Sequence, residues 1–271
     1  MTHPGPVMHL FDQDVSLTEA EPLRYKGFVQ DNWSVNGIPN GGYLMAIVAN
    51  AMALASDKRS TPIVTANYLS RTVIGEADLH VEMITRSTQF NRLQASLIQD
   101  GREKIRSFGT FADEKIECVL ERYETAAPLV APLEACVTSP KIPNLTLLDN
   151  LDIRLDPECA GWFFGKLSDK SEHKGWIRFR DDRPFDLISI FLLADSFPPA
   201  VFASQGMVAW VPTIEMSVNV RKIPATRWLK GIFRTRFITC GLLEEDGELW
   251  DEEGNLVAIS RQIAQYRKSV P

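Results

Sequence analysis

The chain has 271 residues, 45% hydrophobic and 24% charged, with a formal net charge of -6. That supplies apolar material for one large domain or two of ordinary size. The acidic balance argues against a nucleic-acid partner, which calls for a basic stripe to meet phosphates. Four widely spaced cysteines (Cys118, Cys136, Cys159 and Cys240) contain no Cys-x-x-Cys pair and fit a reducing compartment. Residues 1–6 carry no basic segment leading into an apolar core, and the longest apolar run, 43–49, is too short to span a bilayer. Cytoplasmic residence without membrane insertion is therefore expected.

In chain order, the first predicted helix follows Asn40-Gly41-Gly42 and runs to about Ala55, closed by Ser56-Asp57. Its apolar residues lie nearly all the way round, so it is expected to be buried on most faces. Four strands follow, over 63–69, 79–85, 93–98 and 105–111, the last two joined by an Asp100-Gly101 hairpin signal. Residues 126–150, punctuated by Pro128, Pro132, Pro140 and Pro143, read as a linker. Short strands are predicted at 162–166 and 175–180, then a second helix over 184–196 that Pro198-Pro199 prevents from continuing. Strands over 213–221, with Ile214, Met216, Val218 and Val220 on one face, and over 228–238 come next. Turn chemistry is read at 244–247 and 251–254, before a last strand over 256–266.

The two halves look like one unit written twice: a helix followed by hairpin-connected strands. Ala49-Asn50 in the first copy corresponds to Ala194-Asp195 in the second. One antiparallel sheet wrapped around one buried helix, twice, is the simplest architecture, and edge-to-edge pairing of the two sheets would remove exposed edges. The expected organisation is an N-terminal unit over 1–125, a linker over 126–150 and a C-terminal unit over 151–271. Sliding one half onto the other places Asn50 opposite Asp195, Ile63 roughly opposite Thr213, and Ser107-Phe108-Gly109 opposite Gln262. An amide cannot act as a base and an isoleucine cannot hold water. The first half is therefore expected to supply fold or binding surface, and the second half chemistry.

Four motifs, Asn40-Gly41-Gly42, Leu193-Ala194-Asp195, Trp210-Val211-Pro212-Thr213-Ile214-Glu215 and Ser260-Arg261-Gln262-Ile263-Ala264, occur in an order and spacing that resembles the acyl-CoA thioesterase II type of the double hotdog, thioesterase-like superfamily. The resemblance covers roughly 32–267. It implies an α+β double hotdog fold, an acyl-CoA substrate, a place in fatty acid metabolism and, by analogy, a homodimer. It also implies that Asp195, Thr213 and Gln262 bind and activate a hydrolytic water, with no metal and no cofactor beyond the coenzyme A of the substrate.

That chemistry is physically sufficient. A carboxylate can orient and deprotonate water, a Thr hydroxyl and a Gln amide can hold it, and free N–H groups at a helix start can bind the oxyanion. Gly41, Gly42 and Tyr43 are candidates for substrate binding or the oxyanion hole, as is the start of the second helix; Asn40-Gly41-Gly42 also reads as a plain turn and helix cap. Arg71 and Arg221 read as structural ion-pair partners or, alternatively, as ligands for the phosphates of coenzyme A. The six tryptophans read as core residues ahead of adenine stackers. No Gly-x-Ser-x-Gly elbow occurs, and His3, His9, His80 and His173 have no metal-ligand spacing. The rival reading is a non-catalytic acyl-CoA or acyl-ligand binding protein of the same fold; a hotdog dehydratase lacks the Asp-His or Glu-His arrangement it would need.

Overall fold

The computed structural model describes residues 8–268; the segment 1–6 used above to judge targeting, and His3 within it, lie outside the described residues. A fourteen-stranded antiparallel sheet organises the chain. From one edge its order is Thr18–Glu21, Arg24–Val29, Gly75–Arg86, Phe90–Gln99, Arg102–Ala112 and Ser60–Tyr68. It continues through Thr213–Val220, Leu256–Gln265, Leu242–Asp251, Leu229–Thr235, Ser171–Phe179, Leu151–Leu155 and Val137–Thr138, and the fourteenth strand, Ile238–Thr239, pairs with Leu242–Asp251 off this path. In each half the first strand after the helix stands at the centre, its neighbour is the last strand, and the two middle strands follow outward. The halves are thus two hotdog units of one topology joined edge to edge. At the seam Ser60–Tyr68 pairs with Thr213–Val220 from Asn67↔Glu215 to Ile63↔Asn219, and Thr65 Oγ1 donates to Ser217 Oγ at 3.0 Å.

The first central helix, Gly41–Ala55, buries eleven residues, including Leu44, Met45, Ile47, Val48 and Met52, against the strands Gly75–Arg86, Phe90–Gln99 and Arg102–Ala112. Strand alternation supplies the opposite wall: Leu79 and Val81, then Leu93, Ala95 and Leu97, then Ile105 and Phe111 point inward. The Asp100-Gly101 signal is a real hairpin, both residues standing at positive φ (52° and 68°), as a tight turn between twisted strands requires. Among the described residues no helix is long and apolar enough to cross a membrane.

Several elements differ from the sequence expectation. The second central helix is only Ser189–Leu193, not 184–196. Asp186 and Ser189 cap its start reciprocally, at 2.9 Å for Asp186 N–H to Ser189 Oγ and 2.8 Å for Ser189 N–H to Asp186 Oδ1. A turn through Ala194 and Asp195 then ends it, before a further short helix at Val201–Gln205. Residues 162–166 form no strand: Gly161–Phe164 is a 3-10 turn, closed by Gly165 in the left-handed region at φ 74°. The acidic stretch 244–247 lies within the strand Leu242–Asp251, hydrogen-bonded on both edges, and Cys240-Gly241 (φ 52° and 75°) supplies the reversal before it. The chain before the first helix also adds Leu10–Asp14, Thr18–Glu21 and Arg24–Val29, none of which the pattern reading found.

Gly42 permits the helices to touch. A Cβ on Gly42 would stand 2.7 Å from Phe191 O, 2.9 Å from Leu192 O and 2.7 Å from Asp195 Cβ. Two of these atoms are backbone and cannot step aside by changing rotamer. Gly42→Ala should therefore part the two helices and lower stability by ~1–3 kcal/mol, the usual cost of overpacking a tight contact; equilibrium denaturant unfolding measures it.

Candidate active site

Asp195 follows the end of the second helix and faces the start of the first. Its Oδ2 accepts from Gly42 N–H at 2.8 Å and from Asn40 Nδ2 at 3.1 Å, and Asn40 Nδ2 also reaches Asp195 O at 2.9 Å. Asn40 is at the same time the helix cap, its Oδ1 accepting from Tyr43 N–H at 2.9 Å. The carboxylate thus sits at the positive end of a fifteen-residue helix. Burial raises its pKa to about 6, against the pull of the Gly42 N–H and the Asn40 amide toward the charged form. Oδ1 has no hydrogen-bond partner among the described residues, and Asp195 lines a cavity of about 770 Å³.

Thr213, Gln262 and Glu245 line the same cavity. Thr213 Oγ1 donates to Gln262 Oε1 at 2.7 Å, and Gln262 Nε2 donates to Glu245 Oε1 at 2.9 Å. A β-bulge makes the first of these contacts possible. Between Thr213 and Glu215 the register with the last strand slips by one, so that Thr213 opposes Ala264 while Met216 opposes Gln262. Strict alternation from Met216, Val218 and Val220 would have turned Ile214 inward and Thr213 away. The slip instead leaves Ile214 37% exposed and brings Thr213 to the Gln262 side chain. The predicted face Ile214, Met216, Val218, Val220 is corrected accordingly: the last three are buried and Ile214 is not.

The three residues singled out for water handling are therefore gathered on one cavity, as a hydrogen-bonded Thr213–Gln262 pair and a separately held Asp195. Glu245 was missed because Glu244-Glu245-Asp246-Gly247 has the composition of a turn. The signal lay in the period-two set Leu243, Glu245, Gly247 and Leu249, all buried, which marks Glu245 as an inward carboxylate.

The first half has no counterpart. Asn50 donates to Val15 O at 2.8 Å and ties down the N-terminal segment. The place beside Gly109, in the segment matched to Gln262, is filled by Met52, whose Sδ would stand 2.5 Å from a Cβ on that glycine.

Family models described as the acyl-CoA thioesterase N-terminal domain and the acyl-CoA thioesterase C-terminal domain match residues 29–112 and 132–266. The chain belongs to the acyl-CoA thioesterase family. The uncharacterised protein Rv0499 of Mycobacterium tuberculosis is 22% identical over 265 residues, spanning 89% of this chain and 90% of that protein. A candidate thioesterase II from Thermobifida fusca has the same fold at 23% identity and a TM-score of 0.88, covering 97% of this chain and 99% of its own. A hot dog fold protein of unknown function from Alicyclobacillus acidocaldarius matches at 20% identity and a TM-score of 0.87, covering 97% and 100%. At these identities the structural likeness shows the fold, a double hotdog.

Within this acyl-CoA thioesterase family member the remaining predicted residues divide. Gly41 lines the cavity, and among the described residues its N–H has no acceptor, while its carbonyl accepts from Tyr68 OH at 2.8 Å. The Gly42 N–H is already committed to Asp195. Tyr43 is in the core: its hydroxyl donates to Asp14 O and accepts from Gln30 N–H, and it is not brought to the cavity. Arg71 lines the cavity mouth, whereas Arg221 lies off it, and among the described residues neither forms an ion pair, which corrects the structural reading of both. Trp162 and Trp210 line the cavity, while Trp33 and Trp250 are core residues. The segment 126–150, read as a linker, contributes Ile142, Leu145, Leu147 and Leu148 to the cavity wall.

The Asn40 contact makes a titration prediction. Its amide favours the charged Asp195, so Asn40→Ala should raise the carboxyl above its value of about 6. A carboxyl-carbon NMR titration of Asp195 in wild type and variant reads the shift, and a lower value in the variant would contradict the assignment.

Proposed function

We propose that this protein hydrolyses an acyl-CoA thioester to the free acid and coenzyme A by direct attack of water. The observation that carries the reading is a half-buried carboxylate with one oxygen tied to a helix start and the other without a hydrogen-bond partner among the described residues, lining a cavity that also holds the Thr213–Gln262 pair. Water held by Thr213 and Gln262 gives a proton to Asp195 Oδ1 as its oxygen bonds to the thioester carbonyl carbon. The Gly41 N–H receives the developing oxyanion, aided by the helix dipole. Collapse of the tetrahedral species breaks the C–S bond, and the Asp195 proton goes to the departing sulfur. Gly42 and Tyr43, named with Gly41 as oxyanion candidates, support the helix start and Asp195 instead.

The elevated pKa suits this role, because a base near 6 is ionised at neutral pH yet basic enough to hold a proton transiently. The acyl group has an apolar and aromatic wall to meet, including Leu44, Phe163, Phe197 and Phe202, and Arg71 and Arg267 at the mouth are placed for the phosphates of coenzyme A. The same reading makes the protein a cytoplasmic homodimer of double hotdog units, each an N-terminal unit and a catalytic C-terminal unit, working in fatty acid metabolism. It needs no metal and no cofactor beyond its substrate.

Free-thiol release from short, medium, long and aromatic acyl-CoAs, with wild type beside Asp195→Asn, tests this. The variant should lose ~10²–10⁴-fold in turnover, the usual contribution of a general base, while still binding acyl-CoA. Because the base must be ionised, kcat/KM of the wild type should fall as pH drops through about 6. Saturable binding without turnover of any acyl-CoA would favour the non-catalytic binding protein instead.

A further inference from the structure

The strand Leu242–Asp251 brings to the cavity a carboxylate that this reaction does not use. Glu245 is 5% exposed and stands directly opposite Gln262 in the sheet register. Both of its oxygens accept hydrogen bonds: Oε2 from Ala200 N–H at 2.6 Å and Oε1 from Gln262 Nε2 at 2.9 Å. While it is ionised, Glu245 has no hydrogen to give, and only the NH₂ end of the Gln262 amide can then face it. The carbonyl end must then point the other way, where the Thr213 hydroxyl donates to it at 2.7 Å. The Thr213 hydrogen is thereby spent. What Thr213 offers a water in the cavity is lone pairs, and what Gln262 offers is its second amide hydrogen.

We infer that Glu245 is a positioning residue that sets the donor–acceptor order of the Thr213–Gln262 pair and, through it, the orientation of the attacking water. The inference rests on the hydrolytic reading above. A water that accepts from Gln262 and donates to Thr213 Oγ1 and Asp195 Oδ1 keeps one lone pair for the carbonyl carbon. If residue 245 could donate as well as accept, the Gln262 amide could turn over. Thr213 would then accept from Gln262 and send its own hydrogen into the cavity, meeting the water with a donor where an acceptor is needed.

Glu245 imposes this order in its ionised form, and the order relaxes as the carboxyl takes up a proton. Burial first, then Asp195 across the site and Glu244 beside it, raise the Glu245 carboxyl to about 7, against the pull of Ala200 N–H and Gln262. The arginines of the adjoining strands are engaged elsewhere, Arg234 with Glu172 and Glu248 and Arg261 with Asp246.

The experiment uses the full chain, with wild type and the near-isosteric Glu245→Gln. Thiol release is read as kcat and KM, thermal unfolding checks the fold, and the side-chain amide signal of Gln262, assigned by its loss in Gln262→Met, is followed by NMR from pH 5 to 9. Glu245→Gln should lower kcat about 10–100-fold with KM within about threefold, the scale of a misplaced reactant. In wild type the Gln262 signal should move with a midpoint near pH 7, and that movement should be absent in Glu245→Gln. Wild-type turnover with an unchanged kcat in the variant overturns the inference and leaves hydrolysis standing. A Gln262 signal indifferent both to pH in wild type and to the substitution overturns it whatever the activity. A wild type inactive on every acyl-CoA, with the Gln262 signal titrating as expected, removes the hydrolytic reading and retains the control of Gln262 by Glu245.

Discussion

The Asp195 carboxylate is fastened to the beginning of a helix that belongs to the other half of the molecule, and much else in the structure follows from that contact. Gly42 has no side chain because the carbonyls of Phe191 and Leu192 and the Cβ of Asp195 occupy the space. Asn40 serves as helix cap through its Oδ1 and as Asp195 anchor through its Nδ2. The second helix is short because the chain must turn at its end to present the carboxylate to that start. The burial that raises the pKa of the acid is opposed by the Gly42 N–H and the Asn40 amide, donors at the start of the first helix.

Duplication with divergence explains the asymmetry of the site. Both halves keep the same strand order and meet in antiparallel register at the seam, where Thr65 and Ser217 share a hydrogen bond. In the first half the polar positions have been given to packing: Asn50 holds the N-terminal segment and Met52 fills the space beside Gly109. In the second, the corresponding space is kept open and lined by Thr213, Gln262 and Glu245. One half keeps the polar residues of the cavity, and the other keeps the long helix whose start holds the Asp195 carboxylate.

Much of this was legible in the sequence. The all-round apolar helix, the four strands that follow it, the strands read over 213–221, 228–238 and 256–266 and the Asp100-Gly101 hairpin are local patterns with local causes, and they stand within a few residues of where periodicity puts them. The resemblance directed attention to Asp195, Thr213 and Gln262, which share one cavity. What escaped had one non-local cause and two local ones. The bulge that turns Thr213 toward Gln262 depends on pairing with a strand some fifty residues away, and no local pattern announces it. The start of the second helix is set by an Asp186–Ser189 cap that the apolar run overran. Glu245 was hidden by composition, an inward carboxylate in a stretch rich enough in acid and glycine to pass for a loop.

The anchoring of Asp195 also bears on how such a chain can evolve. Its acid comes from one repeat and the amides that hold it from the other, while part of the cavity wall comes from Leu145, Leu147 and Leu148 in the connection between them. Neither repeat is a self-sufficient module that could be shuffled into another protein with its chemistry intact. Fusion into a single polypeptide fixed the stoichiometry of the two repeats at one to one. A substitution at Asn40 or Gly42 in one repeat therefore acts directly on a carboxylate more than 150 positions away in the other.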